Sequence, residues 1–510
     1  MVAKIIIFVI YVVVMLGIGI YAHRHTKTVK DFVLGGRNVG SWLTAFAYGT
    51  SYFSAVVFIG YAGQFGWSYG VSSFWIGIGN AFLGSTLAWI ILGKRTRNMT
   101  KKLDAKTMPE FFEKRYNSKG LKIFSAIIIF IFLIPYTASV YNGLSRLFNM
   151  AFDMDLYKQV IIGMAVLTAA YVVLGGYAAT AINDFVQGIV MLAGIVLVVL
   201  FIINEKGGFS TAIDSLNLIP DSNGKTGTLG TLFGPDPINL IGVAILTSLG
   251  TWGLPQMVTK FYAIKDDRAV RQGTIISTVF AIVVAGGSYF MGGFSRLYAT
   301  LTNEAGKTAV PLLNGKPQFD AIVPEMLKTA LPNILIGLVV ILVLSASMST
   351  LSSLVLTSSS TMTIDLIKPA VKRNLGEKKE ILIMRGLILV FLFISVIIAF
   401  NKNASISTLM SYSWGALSGA FLGPFMWGLF LKKISKTAVY ASFTIAIVIT
   451  LLHMLLVSLY PVESLVTALS SLKFNLASPV NAGAVTMVLS IIITPIISIF
   501  GKKAYYPEQI

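Results

Sequence analysis

Apolar runs of about 20 residues, separated by short polar segments, dominate this chain. A run of that length crosses a hydrocarbon core of about 30 Å as a helix. The pattern predicts an all-α integral membrane protein with about 13 transmembrane helices. The predicted spans are residues 3–22, 40–65, 69–93, 121–149, 158–176, 180–203, 238–262, 272–297, 331–366, 381–400, 405–431, 436–459 and 482–500.

Two of these spans are interrupted by glycine and polar residues. They read AFAYGTSYFSAVVFIGYAG (45–63) and LTSLGTWGLPQMV (246–258), and they are the second and the seventh span. Five helices separate equivalent positions, so the two spans cross the membrane in opposite directions. This arrangement is typical of inverted-topology repeats, in which a binding site forms where both helices unwind. The positions expected to break the helices are Gly49, Gly250, Gly253 and Pro255.

Composition supports the membrane assignment, with 55% hydrophobic and 12% charged residues and a mean hydropathy of +0.79. The net charge of +19 suggests nucleic-acid binding, but most Lys and Arg residues fall in alternate loops. This positive-inside pattern places the amino terminus outside and the carboxyl terminus in the cytoplasm of the cell membrane. The pattern does not decide whether these Lys and Arg residues also contact anionic lipid. The basic loops are 23–38, 94–122, 260–272, 367–385, 432–436 and 502–503.

The residue types present give little indication of an enzyme. The chain has no cysteine, and its three histidines, His23, His25 and His453, offer no helical metal pair. No nucleophile–base set stands out, so we do not expect an enzyme. Within 107–120, Phe111 and Phe112 stand among charges, which predicts either a short amphipathic helix lying at the membrane interface or an ordinary polar loop.

A polar strip interrupts one of the most apolar stretches of the chain. Residues 345–353 read SASMSTLSS, with six hydroxyls in nine residues, and a lone carboxylate, Asp184, lies in another apolar run. Hydroxyl and carboxylate oxygens are ligands for a small alkali cation, and polar groups at membrane depth are costly unless functional. The alternatives are close helix packing by small residues and an acid that caps a helix end. Together the strip and the acid favour a cation-coupled transporter.

Six sequence motifs follow one another along most of the chain. They are DFVLGGRNVGSW (31–42), MPEFFEKRY (108–116), VLGGYAATAINDFVQGIVML (173–192), GLPQMVTKFYAIKDDRAV (253–270), SASMSTLSSLVLTSSSTMTIDL (345–366) and MSYSWGALSGAFLGP (410–424). In this order they resemble the sodium/solute symporter family, and its proline permease group in particular. That resemblance implies a LeuT-like fold with a 5+5 inverted repeat: a leading helix and loop (1–37), a first repeat (38–204), a second repeat (205–431) and two trailing helices with a short tail (432–510).

The resemblance also implies two sodium sites, with sodium as the coupling ion and no other cofactor. The shared site would use backbone carbonyls of the first core helix and residues of the eighth core helix. A second site, present in some branches, would add the carboxylate. The shared site corresponds to Thr50, Phe53, Ala346, Ser349 and Thr350, and the second site to Asp184, Ser349, Ser352 and Ser353.

The solute would lie beside the first and sixth core helices. Proline permeases carry an aspartate where this chain has Tyr52, the sialic-acid branch uses an arginine that is absent from 123–145, and the lysine and glutamine of sugar carriers are missing. A small amino acid or a small organic acid remains. The residues that match the solute site are Tyr52, Ser54, Val57, Tyr136, Thr251, Trp252 and Trp414.

The function expected from these features is sodium-coupled import of a small organic solute by alternating access. The partners are the solute, sodium ions and the lipid bilayer, with no nucleic acid, and the fold works as a monomer. Alternatives are a passive facilitator or channel, a membrane sensor or scaffold, and a symporter of pantothenate, sialic acid or a sugar.

Overall fold

Helices make up nearly all of the protein in the computed structural model, which describes residues 2–24, 26–299, 309–313, 316–371, 376–401, 405–501 and 503–504. His25 lies outside the described residues. The first nine helices are α1 Val2–His23, α2 Val29–Leu34, α3 Ser41–Tyr52, α4 Val56–Lys102, α5 Met108–Tyr116, α6 Lys119–Phe152, α7 Tyr157–Glu205, α8 Phe209–Asn217 and α9 Pro237–Gly253.

The second half of the chain continues in the same way and adds two short antiparallel strand pairs. Its helices are α10 Pro255–Ala263, α11 Asp267–Gly293, α12 Ile322–Ala330, α13 Asn333–Ala370, α14 Glu377–Ala399, α15 Ile406–Phe430, α16 Lys436–Leu459, α17 Glu463–Ser470 and α18 Pro479–Phe500. Antiparallel pairs form between β1 Leu312–Leu313 and β2 Lys316–Pro317, and between β3 Ile434–Ser435 and β4 Lys503–Ala504.

Eight helices of the described part are long and apolar enough to cross a membrane, or nine if the bent pair α9–α10 forms one span. The 49 residues of α7 would extend about 74 Å as one straight helix, more than twice the hydrocarbon thickness. At Gly176, however, φ is 53° and ψ is −144°, which divides α7 into two lengths. A Cβ there would collide with Phe32, so only glycine fits this turn. The protein therefore spans the membrane several times, and the number 13 stays a prediction.

Helix starts follow from local side chains. The Thr107 hydroxyl accepts a hydrogen bond from the Glu110 amide at 3.2 Å and caps α5. Phe111 and Phe112 of this helix are fully buried, and Phe111 packs against Phe425 of α15 at 4.8 Å between ring centroids. The apolar side of α5 therefore packs on protein, whereas the sequence predicted either a helix lying at the lipid interface or a polar loop.

The centre of the molecule is formed by the broken helix pairs and the long helices around them. Helix α3 packs against α7, α11 and α13, and α10 packs against α3 and α13. Helix α15 packs against α6, α9, α16 and α18. This arrangement brings the first helix interruption next to the polar strip of α13 and the second next to α15.

Candidate ion and solute site

The first break lies between α3 and α4. Helix α3 ends at Tyr52, and Phe53 adopts an extended conformation with φ −106° and ψ 107°. The Ser54 hydroxyl then accepts a hydrogen bond from the Val56 amide at 3.2 Å, as a serine does at a helix start. Gly49 lies inside α3, where a Cβ would collide with the ring of Phe280. The last carbonyls of α3 are thus freed from helical bonding close to the molecular centre.

The second break lies between α9 and α10, which are bent by 46°. Helix α9 ends at Gly253, Leu254 is extended with φ −70° and ψ 123°, and α10 begins at Pro255. Proline has no amide hydrogen to continue the helix, but its fixed φ suits a first helical position. At Gly250 a Cβ would collide with the indole of Trp414, so this glycine lets an aromatic ring lie on the helix backbone.

Residues of α13 meet the end of α3 through short polar contacts. The Ser349 hydroxyl donates to the Thr50 carbonyl at 2.9 Å and to the Ala346 carbonyl at 3.0 Å. The Thr350 hydroxyl lies 3.1 Å from the Ala346 carbonyl and 3.3 Å from that of Ser51. Four of the five residues predicted for the shared sodium site therefore come together.

The fifth residue of that set, Phe53, lies at the break itself. Within the described residues, the hydroxyls of Ser349 and Thr350 bond to carbonyls of α3 and α13 but not to that of Phe53. All of these residues are at most 1% exposed. Neutral hydroxyl and carbonyl oxygens at an unwound helix fit a sodium ion that has shed its water.

The second predicted ion position lies one turn further along α13. Asp184 of α7 is fully buried, and neither carboxylate oxygen accepts a hydrogen bond from the described residues. Ser352 donates to the Ser349 carbonyl at 2.9 Å, and the Ser353 hydroxyl lies 2.7 Å from that of Ser51. The predicted set is only partly assembled, because Ser352 bonds to its own helix.

A lysine that was counted with a cytoplasmic loop occupies this second position. Lys260 belongs to α10 and is 2% exposed. Its Nζ donates to the Ser353 hydroxyl at 2.9 Å and lies 3.6 Å from Asp184 Oδ2. A lone lysine in the apolar stretch before the polar segment 265–268 was a usable signal, the same one that singled out Asp184.

Three of the predicted solute residues form an aromatic cluster beside both breaks. The ring of Tyr52 stacks on Phe53 at 4.2 Å and on Trp414 at 6.1 Å, and Tyr136 meets Trp414 edge-on at 5.8 Å. Because Trp414 also lies on the backbone of Gly250, one indole contacts both broken helices. Edge-on and offset ring pairs of this kind are favourable packing arrangements.

The other predicted solute residues have different surroundings. Thr251 donates to the Gly84 carbonyl at 2.8 Å, and Trp252 Nε1 donates to the Leu83 carbonyl at 2.9 Å. Their polar atoms are therefore used by α4, not turned to the aromatic cluster. Val57 is buried just after the first break, three residues beyond Ser54.

Two polar residues near this cluster were missed by sequence reasoning. Within the described residues, Asn80 Nδ2, the Tyr289 hydroxyl and Trp414 Nε1 are buried and have no hydrogen-bond partner. The Asn80 carbonyl oxygen accepts from Ser248 of α9 at 3.2 Å, which places its amide beside the second broken helix. A single asparagine in an apolar span carries a weak signal, because such residues also join helices.

Cavities lie on both sides of the site. Arg37 lies before α3 and donates to the Tyr262 carbonyl at 3.2 Å and to carbonyls of Thr100 and Ala105, which joins the helix ends on one side.

On this same side, a cavity lined by Lys106, Lys260 and Ser353, among others, reaches the second predicted ion position. A separate polar cavity of about 280 Å³ is lined by Gln64, among others.

Comparison with known proteins gives one consistent result. The sequence pattern of the sodium:solute symporter family matches residues 32–445. The osmoregulated proline transporter OpuE of Bacillus subtilis is 30% identical over 438 residues, which are 85% of each chain. A sodium/proline symporter of Haemophilus influenzae is 28% identical over 451 residues, 87% of each chain.

A solved structure agrees with these relatives at the level of the fold. A Na⁺-coupled sialic acid symporter in a substrate-bound outward-open state is 18% identical, and the match covers 99% of each chain with a TM-score of 0.72. This likeness confirms the LeuT-like fold that the sequence predicted.

Proposed function

We propose, because the chain belongs to the sodium:solute symporter family, that it binds sodium between α3 and α13 and carries a small carboxylate-bearing solute. As a member of that family it is a sodium-coupled solute symporter that crosses the membrane several times. The solute is a small amino acid such as proline, or a small organic acid. Import proceeds by alternating access, with sodium entering from outside and leaving into the cytoplasm.

The contact between Ser349 and the Thr50 carbonyl carries the proposal for the ion. It places two hydroxyls of α13 against the freed end of α3, and sodium would replace hydroxyl-to-carbonyl hydrogen bonds with oxygen–cation contacts. One ion would then contact both α3 and α13, and it would order the break between α3 and α4. By linkage, a solute that binds the ordered break raises sodium affinity by the same factor by which sodium raises solute affinity.

Three unpartnered donors support a carboxylate on the solute. Asn80 Nδ2, the Tyr289 hydroxyl and Trp414 Nε1 can each donate, and a buried donor without an acceptor costs about 1–3 kcal/mol. A carboxylate would accept from such groups, while the rings of Tyr52 and Tyr136 would cover a small apolar body. Several relatives, including the one of Haemophilus influenzae, are sodium/proline symporters, which agrees with a solute of this size.

The solute class is tested by thermal stability of the purified protein against single compounds, in sodium and in potassium. The panel contains proline, other amino acids, short monocarboxylates, pantothenate, sialic acid and sugars. We expect stabilisation by a carboxylate-bearing compound in sodium only. Equal stabilisation in both salts would favour the passive facilitator instead.

The ion position is tested by uptake of that compound into liposomes. We expect Ser349→Ala to lower sodium-driven uptake at least tenfold. Ser347→Ala is the matched control, because Ser347 is buried on the same helix but donates to its own Val343 carbonyl at 2.7 Å. Equal uptake by both variants would remove Ser349 from the ion site.

Orientation and assembly complete the proposal: the amino terminus lies outside, the carboxyl terminus lies in the cytoplasm, and the monomer is the functional unit. The chain has no cysteine, so a single Lys102→Cys variant reports the location of the loop after α4. We expect a membrane-impermeant thiol reagent to label it only in opened cells. Labelling of intact cells would reverse the orientation.

A further inference from the structure

A buried lysine lies where the resemblance to the family implied a second sodium ion. Lys260 Nζ is 2.9 Å from the Ser353 hydroxyl and 3.6 Å from Asp184 Oδ2, and it lies 5.2 Å from the ring centroid of Tyr177. A hydroxyl, a carboxylate and an aromatic face are the groups that surround a bound cation. The ammonium group therefore already has the surroundings of a cation site.

The charges at this position balance without a sodium ion. Asp184 carries one negative charge and Lys260 one positive charge, and both side chains are at most 3% exposed. A sodium ion beside them would leave one positive charge uncompensated within a few ångströms of the ammonium. Like charges repel strongly in a medium of low dielectric constant, and a buried charge without a partner is costly. The residues present thus do not fit a second sodium together with Lys260.

The geometry also differs from that of a tight structural ion pair. Such pairs form charge-assisted hydrogen bonds of about 2.7–2.9 Å and satisfy the remaining oxygens with other donors. Here the nitrogen–oxygen distance is 3.6 Å, and both Asp184 oxygens lack a hydrogen bond from the described residues. The ammonium of Lys260 thus lies opposite the Asp184 carboxylate as a bound cation lies opposite its ligand. The Ser353 hydroxyl is closer to the ammonium than the carboxylate is.

Four helices meet at this ammonium group. Lys260 extends from α10, the second half of a broken span, and its partners Asp184 and Ser353 belong to α7 and α13. Ser353 in turn lies 2.7 Å from Ser51, in the last turn of α3. A cation at this place therefore joins both broken spans to the helices that surround them.

We propose that the Lys260 ammonium is a tethered cation that replaces the second sodium ion, so that this protein carries one sodium ion per solute. The lysine supplies the positive charge that Asp184 requires, and it does so without being transported. The proposal rests on the proposed function, because it assigns the single transported ion to the position beside Ser349.

Equilibrium binding of radioactive sodium to the purified full-length protein tests this assignment. We expect about one bound ion per wild-type protein. Lys260→Met frees Asp184 and Ser353, so we expect it to bind about two ions. Lys265→Met is the matched control, since it removes an exposed lysine of the neighbouring loop, 48% exposed at its side chain, and keeps one bound ion. Lys260→Arg retains the cation and also keeps one.

Each outcome separates this inference from the proposed function. Two ions bound to the wild type, or one bound to a folded Lys260→Met, would overturn the tethered cation and leave sodium symport intact. No sodium bound to the wild type would overturn the ion position beside Ser349 as well. If Lys260→Met does not fold, the wild type and Lys260→Arg decide: one ion in each supports the inference, and two in either overturns it.

Discussion

The two proposed cation positions lie one turn apart on the same helix, yet they are built from different chemistry. Among the described residues, the hydroxyls of Ser349 and Thr350 contact neutral backbone carbonyls. Beside Ser353, a carboxylate faces a lysine ammonium. A neutral cage can gain and lose an ion without leaving a fixed charge behind, whereas the charged position is stable only while its cation stays. The first position suits transport, and the second suits permanent occupancy.

Removal of the carboxylate at the charged position has the largest expected effect. Asp184→Asn leaves the Lys260 ammonium buried without its counter-charge, which costs about 3–5 kcal/mol. We expect a clearly lower melting temperature of the purified protein, in sodium and in potassium alike.

A double variant makes that result specific to the pair. In Asp184→Asn with Lys260→Met both charges are gone, so we expect much of the lost stability to return. If the double variant is as unstable as the single one, Asp184 stabilises the fold through something other than its charge, and the contrast between the two positions weakens.

Removal of a hydroxyl at the neutral position comes next. Thr350→Val keeps the side-chain shape and removes one oxygen from the predicted cage, so we expect sodium affinity to fall about tenfold, or about 1.4 kcal/mol. Sodium titration followed by tryptophan fluorescence measures this, and melting in potassium checks that the fold is unchanged. A sodium affinity equal to that of the wild type would take Thr350 out of the ion site.

Sequence alone identified the residues of the neutral position more completely than those of the charged position. The hydroxyl strip and its helical spacing are local features, and so are the glycine and proline residues near the breaks. Lys260 was missed because it borders a charged segment and was counted with a loop. Its pairing with Asp184, across 76 residues of sequence, depends on how α10 packs against α7, which no local pattern encodes.

The helix breaks show the same limit of sequence-based prediction at the level of single residues. Gly49 was expected to interrupt the first broken helix, but it lies within α3 and makes room for Phe280. The extended residue is Phe53, and no glycine or proline marks this position in the sequence. The resemblance to the family thus indicated the Thr50 and Ala346 carbonyls that the Ser349 hydroxyl contacts, but no local pattern predicted where α3 ends.

Loss of the aromatic face at the charged position should have a moderate effect. Tyr177→Leu removes the ring 5.2 Å from Lys260 Nζ, and a desolvated cation–π contact contributes about 0.5–2 kcal/mol. We expect a lower melting temperature than in wild type, while Tyr177→Phe, which keeps the ring, stays close to wild type. Equal losses in the two variants would assign the effect to the hydroxyl and remove the aromatic group from the surroundings of the lysine.

The smallest effect is expected where the two positions join. Ser51 offers its carbonyl to Thr350 at 3.3 Å and its hydroxyl to Ser353 at 2.7 Å, so its side chain serves only the charged position. Ser51→Ala should therefore cost about 1 kcal/mol of stability, the usual contribution of one hydrogen bond, and leave the number of bound sodium ions at one. Melting temperature and radioactive sodium binding, measured on the same preparation, separate the two quantities. A change in the number of bound ions would mean that the two positions exchange their cations, because a side chain that contacts only the lysine position would then control sodium binding.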